Sequence, residues 1–290
     1  MTRLARRLQM PLLLAAILGF TMILPACDAF IPPLVDAELE NPIDPESPDT
    51  FVEPETTITG GPTEGSTITS PSTTFSFSSN ADLYQWSLLG TTWDGAWSAW
   101  SEVSSLTLEY LNEGSYSFLV RSAYAPGEGA PTSIDPTPAS LSFSVDAVAG
   151  PSLRLSPLLI SSSVGEEVLI EIVAEEVTGL MAVKAVIHYD PGKLTVEELL
   201  KGDFLASTGG SVAAYFDIDD LGGAIEINIG TATGTPVGVS GTGTIAHLRC
   251  TISAAIDQDL TFDQALTEFR DADNQPIAIV SLIGARVRSQ

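Results

Sequence analysis

Apolar and polar residues alternate in short segments along most of the chain, and Gly-, Pro- and Ser-rich stretches separate these segments. A period of two places every second side chain on the same face of an extended chain, which predicts β-strands with one buried face. Between residues 58 and 148 the in-phase apolar sets are Phe75/Phe77, Tyr84/Trp86/Leu88, Leu106/Leu108, Tyr116/Phe118/Val120 and Leu141/Phe143/Val145. Their regular spacing predicts a β-sandwich over residues 58–148.

The same alternation continues in the second half of the chain. Ala246, Leu248, Cys250 and Ile252 alternate with polar neighbours, so we expect them to face a sheet interior, with Cys250 as a small buried apolar residue. The composition is rich in strand-forming residues, with 24 Gly and 19 Pro for turns. With 290 residues, each half is long enough to bury its own core. We therefore predict an all-β protein of two β-sandwich domains, residues 58–148 and 151–290.

The N-terminus has the pattern of an export signal. Three Arg residues are followed by an apolar run from Met10 to Leu24, which is shorter than the roughly 20 residues of a transmembrane helix. The run ends in Leu24-Pro-Ala-Cys27, which resembles the lipobox of bacterial lipoproteins. This resemblance implies cleavage of residues 1–26, lipidation of Cys27, and display from a bacterial membrane at the cell surface. An ordinary cleaved signal peptide is the alternative.

The charge balance narrows the range of partners. The chain has 12 Lys and Arg against 37 Asp and Glu, a formal net charge of -25, which would repel nucleic-acid phosphates and excludes a nucleic-acid partner. Residues 28–57 are acidic and Pro-rich and contain no basic residue. Such a composition buries too little apolar surface to fold, so we predict an extended tether over residues 27–57.

The second half carries an ordered series of motifs, namely Val164-Gly165 before a strand, Val183 to His188 followed by Tyr189-Asp190-Pro191, Gly202-Asp203-Phe204-Leu205, Gly223 to Ile227, Gly238 to Ala246, and a closing hairpin from Phe269 to Val287. This series, over residues 151–289, resembles the cohesin family. The resemblance implies a nine-stranded jelly-roll sandwich that binds dockerin modules. It further implies that dockerin-bearing proteins, such as polysaccharide-degrading enzymes, are tethered to the cell envelope.

The resemblance also implies where such a partner would bind. Family contacts lie on a sheet face that includes the strand before Tyr189-Asp190-Pro191. The expected partner-binding residues, on this strand and its neighbour, are Ala182, Lys184, Val186, His188, Glu226 and Asn228.

The first sandwich suggests a second kind of binding. The segment from Leu111 to Arg121 resembles bacterial immunoglobulin-like or fibronectin-III-like modules. Trp86 is in phase with core residues, whereas Trp93, Trp97 and Trp100 flank a turn and could stack on a polysaccharide. A carbohydrate-binding envelope lipoprotein, or a structural one without dockerin recognition, are therefore the alternatives to dockerin binding.

The sequence offers no set of residues for catalysis. The two His residues fall on different predicted strands, and no nucleophile motif has the required spacing, so we expect no enzyme activity and no cofactor. The acidic turns 217–222 and 271–276 begin like EF-hand loops but lack later ligands, so we expect no metal site.

Overall fold

The computed structural model describes residues 41–46, 50–127, 129–233 and 237–290, with only the backbone at residue 233. The predicted signal peptide, Cys27 and most of the predicted tether lie outside these residues. Residues 41–290 form one compact unit, in which the described regular structure is β-strand except for a 3₁₀ turn at Phe204–Ala206. The all-β prediction is confirmed. Among the described residues, no helix combines the length and apolar character needed to span a membrane.

The first sandwich pairs a three-stranded sheet with a larger sheet. The three-stranded sheet has the order β1-β3-β6, and the other has the order β2-β9-β7-β4-β5 with β8 added to β7. The short strand β2 runs parallel to β9, whereas the other pairs are antiparallel. The strands are Thr56–Gly60 (β1), Thr67–Ile68 (β2), Thr73–Ser79 (β3), Leu83–Gly90 (β4), Trp93–Trp97 (β5), Ser105–Leu108 (β6), Gly114–Tyr124 (β7), Ser133–Ile134 (β8) and Ala139–Val145 (β9).

The alternating residues of these strands form the core of the first sandwich. Phe75 stacks on Phe118 with ring centroids 3.9 Å apart, and Trp86 is partly buried against the same cluster. The Tyr116 hydroxyl donates a hydrogen bond of 2.9 Å to the Asn112 carbonyl, which fixes the turn that enters β7. Immunoglobulin-type sandwiches use this arrangement, the tyrosine corner, at the equivalent turn.

The second sandwich packs a five-stranded sheet, in the order β14-β17-β12-β10-β21, against a larger one, in the order β11-β22-β18-β13-β16-β15 with β19 on β13 and β20 on β19. Its strands are Ser152–Ser156 (β10), Leu159–Ser162 (β11), Glu167–Leu180 (β12), Ala182–His188 (β13), Leu194–Lys201 (β14), Ser211–Asp219 (β15), Ala224–Thr233 (β16), Val239–Ile252 (β17), Asp257–Phe262 (β18), Glu268–Arg270 (β19), Pro276–Ile277 (β20), Ser281–Ile283 (β21) and Ala285–Ser289 (β22).

The end of the chain differs from the prediction of a closing hairpin from Phe269 to Val287. Only β19 and β20 form a hairpin, because β21 crosses to the other sheet and pairs in parallel with β10, while β22 pairs in parallel with β11. Hydrogen bonds hold this crossing: Val280 N–H donates to the Pro151 carbonyl, and Ser281 N–H donates to Ser152 Oγ. The last strands therefore tie the two sheets together.

Cys250 lies in the core of the second sandwich, together with Ala246, Leu248 and Ile252, as the alternation predicted. Burial raises the pKa of its thiol to about 12, with a smaller contribution from the charge of Glu197. A thiolate is the reactive form of cysteine, so Cys250 is inert in the folded protein.

We expect Cys250 to resist iodoacetamide at pH 8 and to react fully once the protein is unfolded in guanidinium chloride. A Cys27→Ser variant leaves Cys250 as the only thiol, and intact-mass spectrometry counts the adducts. Rapid labelling of the native variant would contradict the buried position of the thiol.

Hydrogen bonds join the two sandwiches. Leu158 N–H donates to Asn112 Oδ1 at 2.8 Å, and the Asn112 amide donates to Thr92 Oγ1 at 3.0 Å. Glu113 Oε1 accepts the N–H groups of residues 147 and 148, which lie in the connecting segment, and burial raises the pKa of this carboxyl. The connection between the sandwiches is thus hydrogen-bonded and not a free linker.

The structure shortens the predicted tether. Thr56 and Thr57 belong to β1, and the Thr56 N–H donates to the buried Asp135 carboxylate at 2.9 Å. Ile43 is buried, and Val52 N–H donates to the Pro42 carbonyl. The composition of the segment did not predict these contacts, because a partner such as Asp135 lies 79 residues further along the chain.

Candidate functional site

Strand register gathers a set of polar and small side chains on one face of the larger sheet in the second sandwich. In antiparallel pairs, residues directly opposite one another point to the same side. Lys184 pairs with Asn228, which pairs with Tyr215, and Ala182, Gly230 and Ala213 form the next row. We call this surface the β13 face and define it by Ala182, Lys184, His188, Ala213, Tyr215, Asp217, Glu226, Asn228, Gly230, Glu268 and Arg270.

The structure brings five of the six predicted partner-binding residues together here, namely Ala182, Lys184, His188, Glu226 and Asn228. Val186 is different, because its exposed fraction is only 5%. The chain between β18 and β19 covers it: Asp263 N–H donates to the Val186 carbonyl at 2.8 Å, and Val186 N–H donates to Thr267 Oγ1 at 3.5 Å. The expectation that Val186 is an outward contact residue is therefore wrong.

The central charges of the face are already paired. Lys184 Nζ lies 3.5 Å from Glu226 Oε1, and the Asn228 amide donates to the same oxygen at 2.8 Å. The Asn228 hydrogen bond, and to a smaller extent the Lys184 charge, lowers the pKa of Glu226. This triplet holds the three side chains in one arrangement before any partner arrives.

The borders of the face carry two more pairs. His188 Nε2 lies 3.3 Å from Asp263 Oδ2, and this hydrogen bond lowers the pKa of Asp263. At the other end, Arg270 Nη2 donates to Glu268 Oε2 at 2.6 Å. The two cations of the face, Lys184 and Arg270, therefore each have a carboxylate beside them.

A shallow depression of about 390 Å³ lies beside the Lys184 triplet. Its floor is the row of small residues Ala182, Ala213 and Gly230. A Cβ atom at Gly230 would lie 2.9 Å from the Ala182 Cβ atom, so a side chain there would disturb the row. The depression is wide enough for a side chain of a binding partner.

Two exposed apolar residues of this region were missed by the sequence analysis. Tyr215 on β15 is 61% exposed, and Leu221 in the β15–β16 turn is 98% exposed. Asp219 Oδ1 accepts the N–H groups of Leu221 and Gly222, which holds Leu221 at the tip of the turn. The sequence signal for Tyr215 was its place next to Phe216. Neighbouring residues of a strand point to opposite faces, so an inward-facing Phe216 places Tyr215 on the outer face.

The other residues considered for chemistry are scattered. His188 lies on the larger sheet, whereas His247 lies on the smaller one, 4.0 Å from Glu171 Oε1. The Tyr189 hydroxyl donates to Asp220 Oδ1 at 2.9 Å, and burial is the main cause of its raised pKa. Within the described ranges, no group of three or more His, Cys, Asp or Glu residues is arranged to hold a metal ion.

The three Trp residues considered for polysaccharide binding do not share a face. Trp93 turns toward the core of the first sandwich, where its ring centroid lies 6.0 Å from that of Trp86. Trp97 and Trp100 lie on the opposite, outer side, where the Arg121 guanidinium is 4.1 and 5.6 Å from their ring centroids. Trp93 points inward because the β4–β5 register pairs it with Gly90, which is in phase with the inward-facing Leu88. Trp97 instead pairs with Ser87, which is in the outward phase.

Comparisons with known proteins concern the second sandwich. A search of curated protein sequences gave no match to this chain. Solved structures similar to it include a non-cellulosomal cohesin from Archaeoglobus fulgidus, with 17% identity, 48% of this chain and 90% of that chain covered, and a TM-score of 0.40. A type II cohesin from the cellulosome of Acetivibrio cellulolyticus has 19% identity, covers 47% and 94%, and has a TM-score of 0.41.

A type I cohesin–dockerin complex from Clostridium thermocellum has 14% identity, covers 48% of this chain and 98% of that chain, and has a TM-score of 0.41. The family model of the cohesin domain matches residues 159–283, which contain the β13 face. Residues 159–283 of this chain therefore form a cohesin domain.

Proposed function

We propose that the cohesin domain binds a dockerin-bearing protein through the β13 face. The observation that carries this proposal is the exposed aromatic side chain of Tyr215, whose row is next to a depression lined by small residues, with Leu221 exposed at the far turn of the same hairpin. Protein interfaces concentrate their binding energy in a few aromatic or aliphatic side chains surrounded by a polar rim. The family match makes a dockerin the expected class of partner.

The paired charges on the face support a binding role. Lys184 and Asn228 both contact Glu226 Oε1, which lowers the side-chain entropy that remains to be lost when a partner docks. The face contains more carboxylates than cations, which favours a partner with basic residues at the matching positions. These features suit recognition, and we assign no reaction to the site.

We further propose that the protein is lipid-anchored to a bacterial membrane through Cys27 and presents its partner at the cell surface. The lipobox-like Leu24-Pro-Ala-Cys27 supports the anchor, and the acidic segment after it supports a tether. The first sandwich serves as an immunoglobulin-like spacer, supported by its strand order and the Tyr116 corner. Polysaccharide-degrading enzymes are the expected cargo.

Capture from the source organism's own extract tests the proposed function. We expect the immobilised full-length protein, in calcium-containing buffer, to retain a dockerin-bearing protein that mass spectrometry identifies. An Ala213→Arg variant should lose this capture, because the new side chain covers the depression from an exposed position on the edge strand β15.

A matched variant separates blocking of the site from a general effect of added charge. Leu169 is 54% exposed on β12, in the other sheet, so Leu169→Arg places the same side chain away from the β13 face. This variant should retain the partner. Undiminished capture by Ala213→Arg, or no dockerin-bearing protein bound to the unmodified chain, would sink the proposal.

A further inference from the structure

The outer face of the larger sheet in the first sandwich contains no acidic residue on its central strands. The chain has 37 Asp and Glu residues, yet β4, β7 and β9 include none. On these strands the outward positions that are not buried are Gln85, Leu89, Ser115, Ser117, Leu119, Arg121, Ser140, Ser142 and Ser144. This surface is rich in hydroxyl groups, and its acidic neighbour is Asp94 on the edge strand β5, opposite Leu89.

Arg121 is the only basic residue between Cys27 and Arg154. Its Nε and Nη2 atoms donate to Gln85 Oε1 at 3.1 and 2.8 Å. Within the described part of the chain, Arg121 forms these two hydrogen bonds and no ion pair. Its Nη1 atom and the outer edge of its guanidinium are therefore left for another acceptor. An arginine without a carboxylate partner is unusual in so acidic a protein.

Trp97 and Trp100 flank this arginine because of the way their segment pairs with β4. Ser98 N–H donates to the Trp86 carbonyl at 2.8 Å, and Ser101 N–H donates to the Tyr84 carbonyl at 2.9 Å. Ser98 and Ser101, each of which directly follows a tryptophan, thus bond to β4 carbonyls of the same phase. Both indoles consequently project on the side where Arg121 lies, 4.1 and 5.6 Å from their ring centroids.

We propose that this face is a binding site for a polysaccharide that carries carboxylates, such as a uronic-acid polymer. The indoles offer partly exposed apolar surface to a sugar ring, and the serine rows offer hydroxyl groups for hydrogen bonds. The free edge of Arg121 fits a carboxylate with two parallel hydrogen bonds. The net charge of the protein does not prevent this contact, because repulsion is screened beyond about 8 Å at physiological salt.

This site is independent of the proposed partner-binding function, since it lies on the other sandwich. It would let a single chain hold a polymer with its first domain and a protein partner with its second. The four side chains that carry the proposal are Arg121, Gln85, Trp97 and Trp100.

Affinity electrophoresis of the full-length protein, in gels containing polygalacturonate or the neutral polymer hydroxyethyl cellulose, tests the proposal. We expect polygalacturonate to slow the protein and the neutral polymer to leave it unaffected. Arg121→Gln should weaken the retardation about tenfold or more, because it removes a charge-assisted pair of hydrogen bonds. The matched control Arg249→Gln, on the cohesin domain, should behave like the unmodified protein.

A second variant keeps the proposal testable if Arg121→Gln destabilises the first sandwich. Ser140→Glu adds a carboxylate to an exposed position of the face, diagonal to Arg121 across the β7–β9 pair, and it should also abolish retardation while Arg121 is kept. Retardation by the neutral polymer alone, by neither polymer, or equally in all variants would overturn the proposal. The Ala213→Arg variant should still bind polygalacturonate, so failure here is distinct from failure of partner binding.

Discussion

Replacing Tyr215 by alanine is expected to weaken partner binding by about thirtyfold or more, the usual consequence of truncating an aromatic side chain at the centre of an interface. Tyr215 is 61% exposed in the free protein and stands in the row of Lys184 and Asn228. Its truncation removes a large contact surface without making a cavity in the core. Isothermal titration of the captured dockerin-bearing protein into each variant gives the change in affinity.

Leu169→Ala is the matched control for Tyr215→Ala. Leu169 is also an exposed apolar residue on a strand of the second sandwich, at 54%, but it lies on the opposite sheet. We expect its truncation to leave the affinity unchanged. Equal losses in the two variants would mean that Tyr215 acts only through general stability, and an unchanged affinity in Tyr215→Ala would remove the β13 face from the interface.

Replacing Arg154 by methionine is expected to destabilise the second sandwich by about 3–5 kcal/mol, the usual cost of leaving a buried charge without its partner. Arg154 Nε lies 2.7 Å from Glu175 Oε2, and both side chains are only 10% exposed. Thr242 Oγ1 donates to the other carboxylate oxygen at 2.6 Å, so Glu175 is fixed in place and cannot reach water when Arg154 is lost.

Urea denaturation followed by far-ultraviolet circular dichroism measures this effect. The four tryptophans all lie in the first sandwich, so their fluorescence reports that domain and serves as an internal reference. A double variant, Arg154→Met with Glu175→Gln, should recover part of the loss because it removes the isolated charge. A loss below about 1 kcal/mol in the single variant, which is the scale of an exposed pair, would contradict a buried role for this ion pair.

Local alternation was enough to predict the strands and most of the core. Cys250, Phe118 and Leu248 are buried where a period of two placed them, because each needs only its own strand and a covered face. The cohesin motifs added the order of the elements. Alternation could not predict which segments cover the outer face of each sheet.

Val186 and Trp93 show why the remaining details were out of reach. Val186 occupies an outward position in its strand, yet a loop 77 to 81 residues later in the chain buries it through Asp263 and Thr267. Trp93 turns inward because of the β4–β5 register, which the turn between these strands sets. The burial of Val186 depends on a distant segment and the orientation of Trp93 on hairpin register, and a period of two along one strand encodes neither.

The parallel pairing of β2 with β9 has a mechanical consequence if the proposed membrane anchor holds the chain at one end. The backbone hydrogen bonds between these two segments include three: Gly65 N–H to the Ser142 carbonyl, Ser144 N–H to the Ser66 carbonyl, and Asp146 N–H to the Ile68 carbonyl. Strand β2 lies soon after the point where the chain enters the first sandwich, and β9 lies just before the point where the chain leaves it. A force applied between these points loads the three hydrogen bonds simultaneously, in shear. The sandwich should therefore resist extension better than one whose terminal strands separate one hydrogen bond at a time.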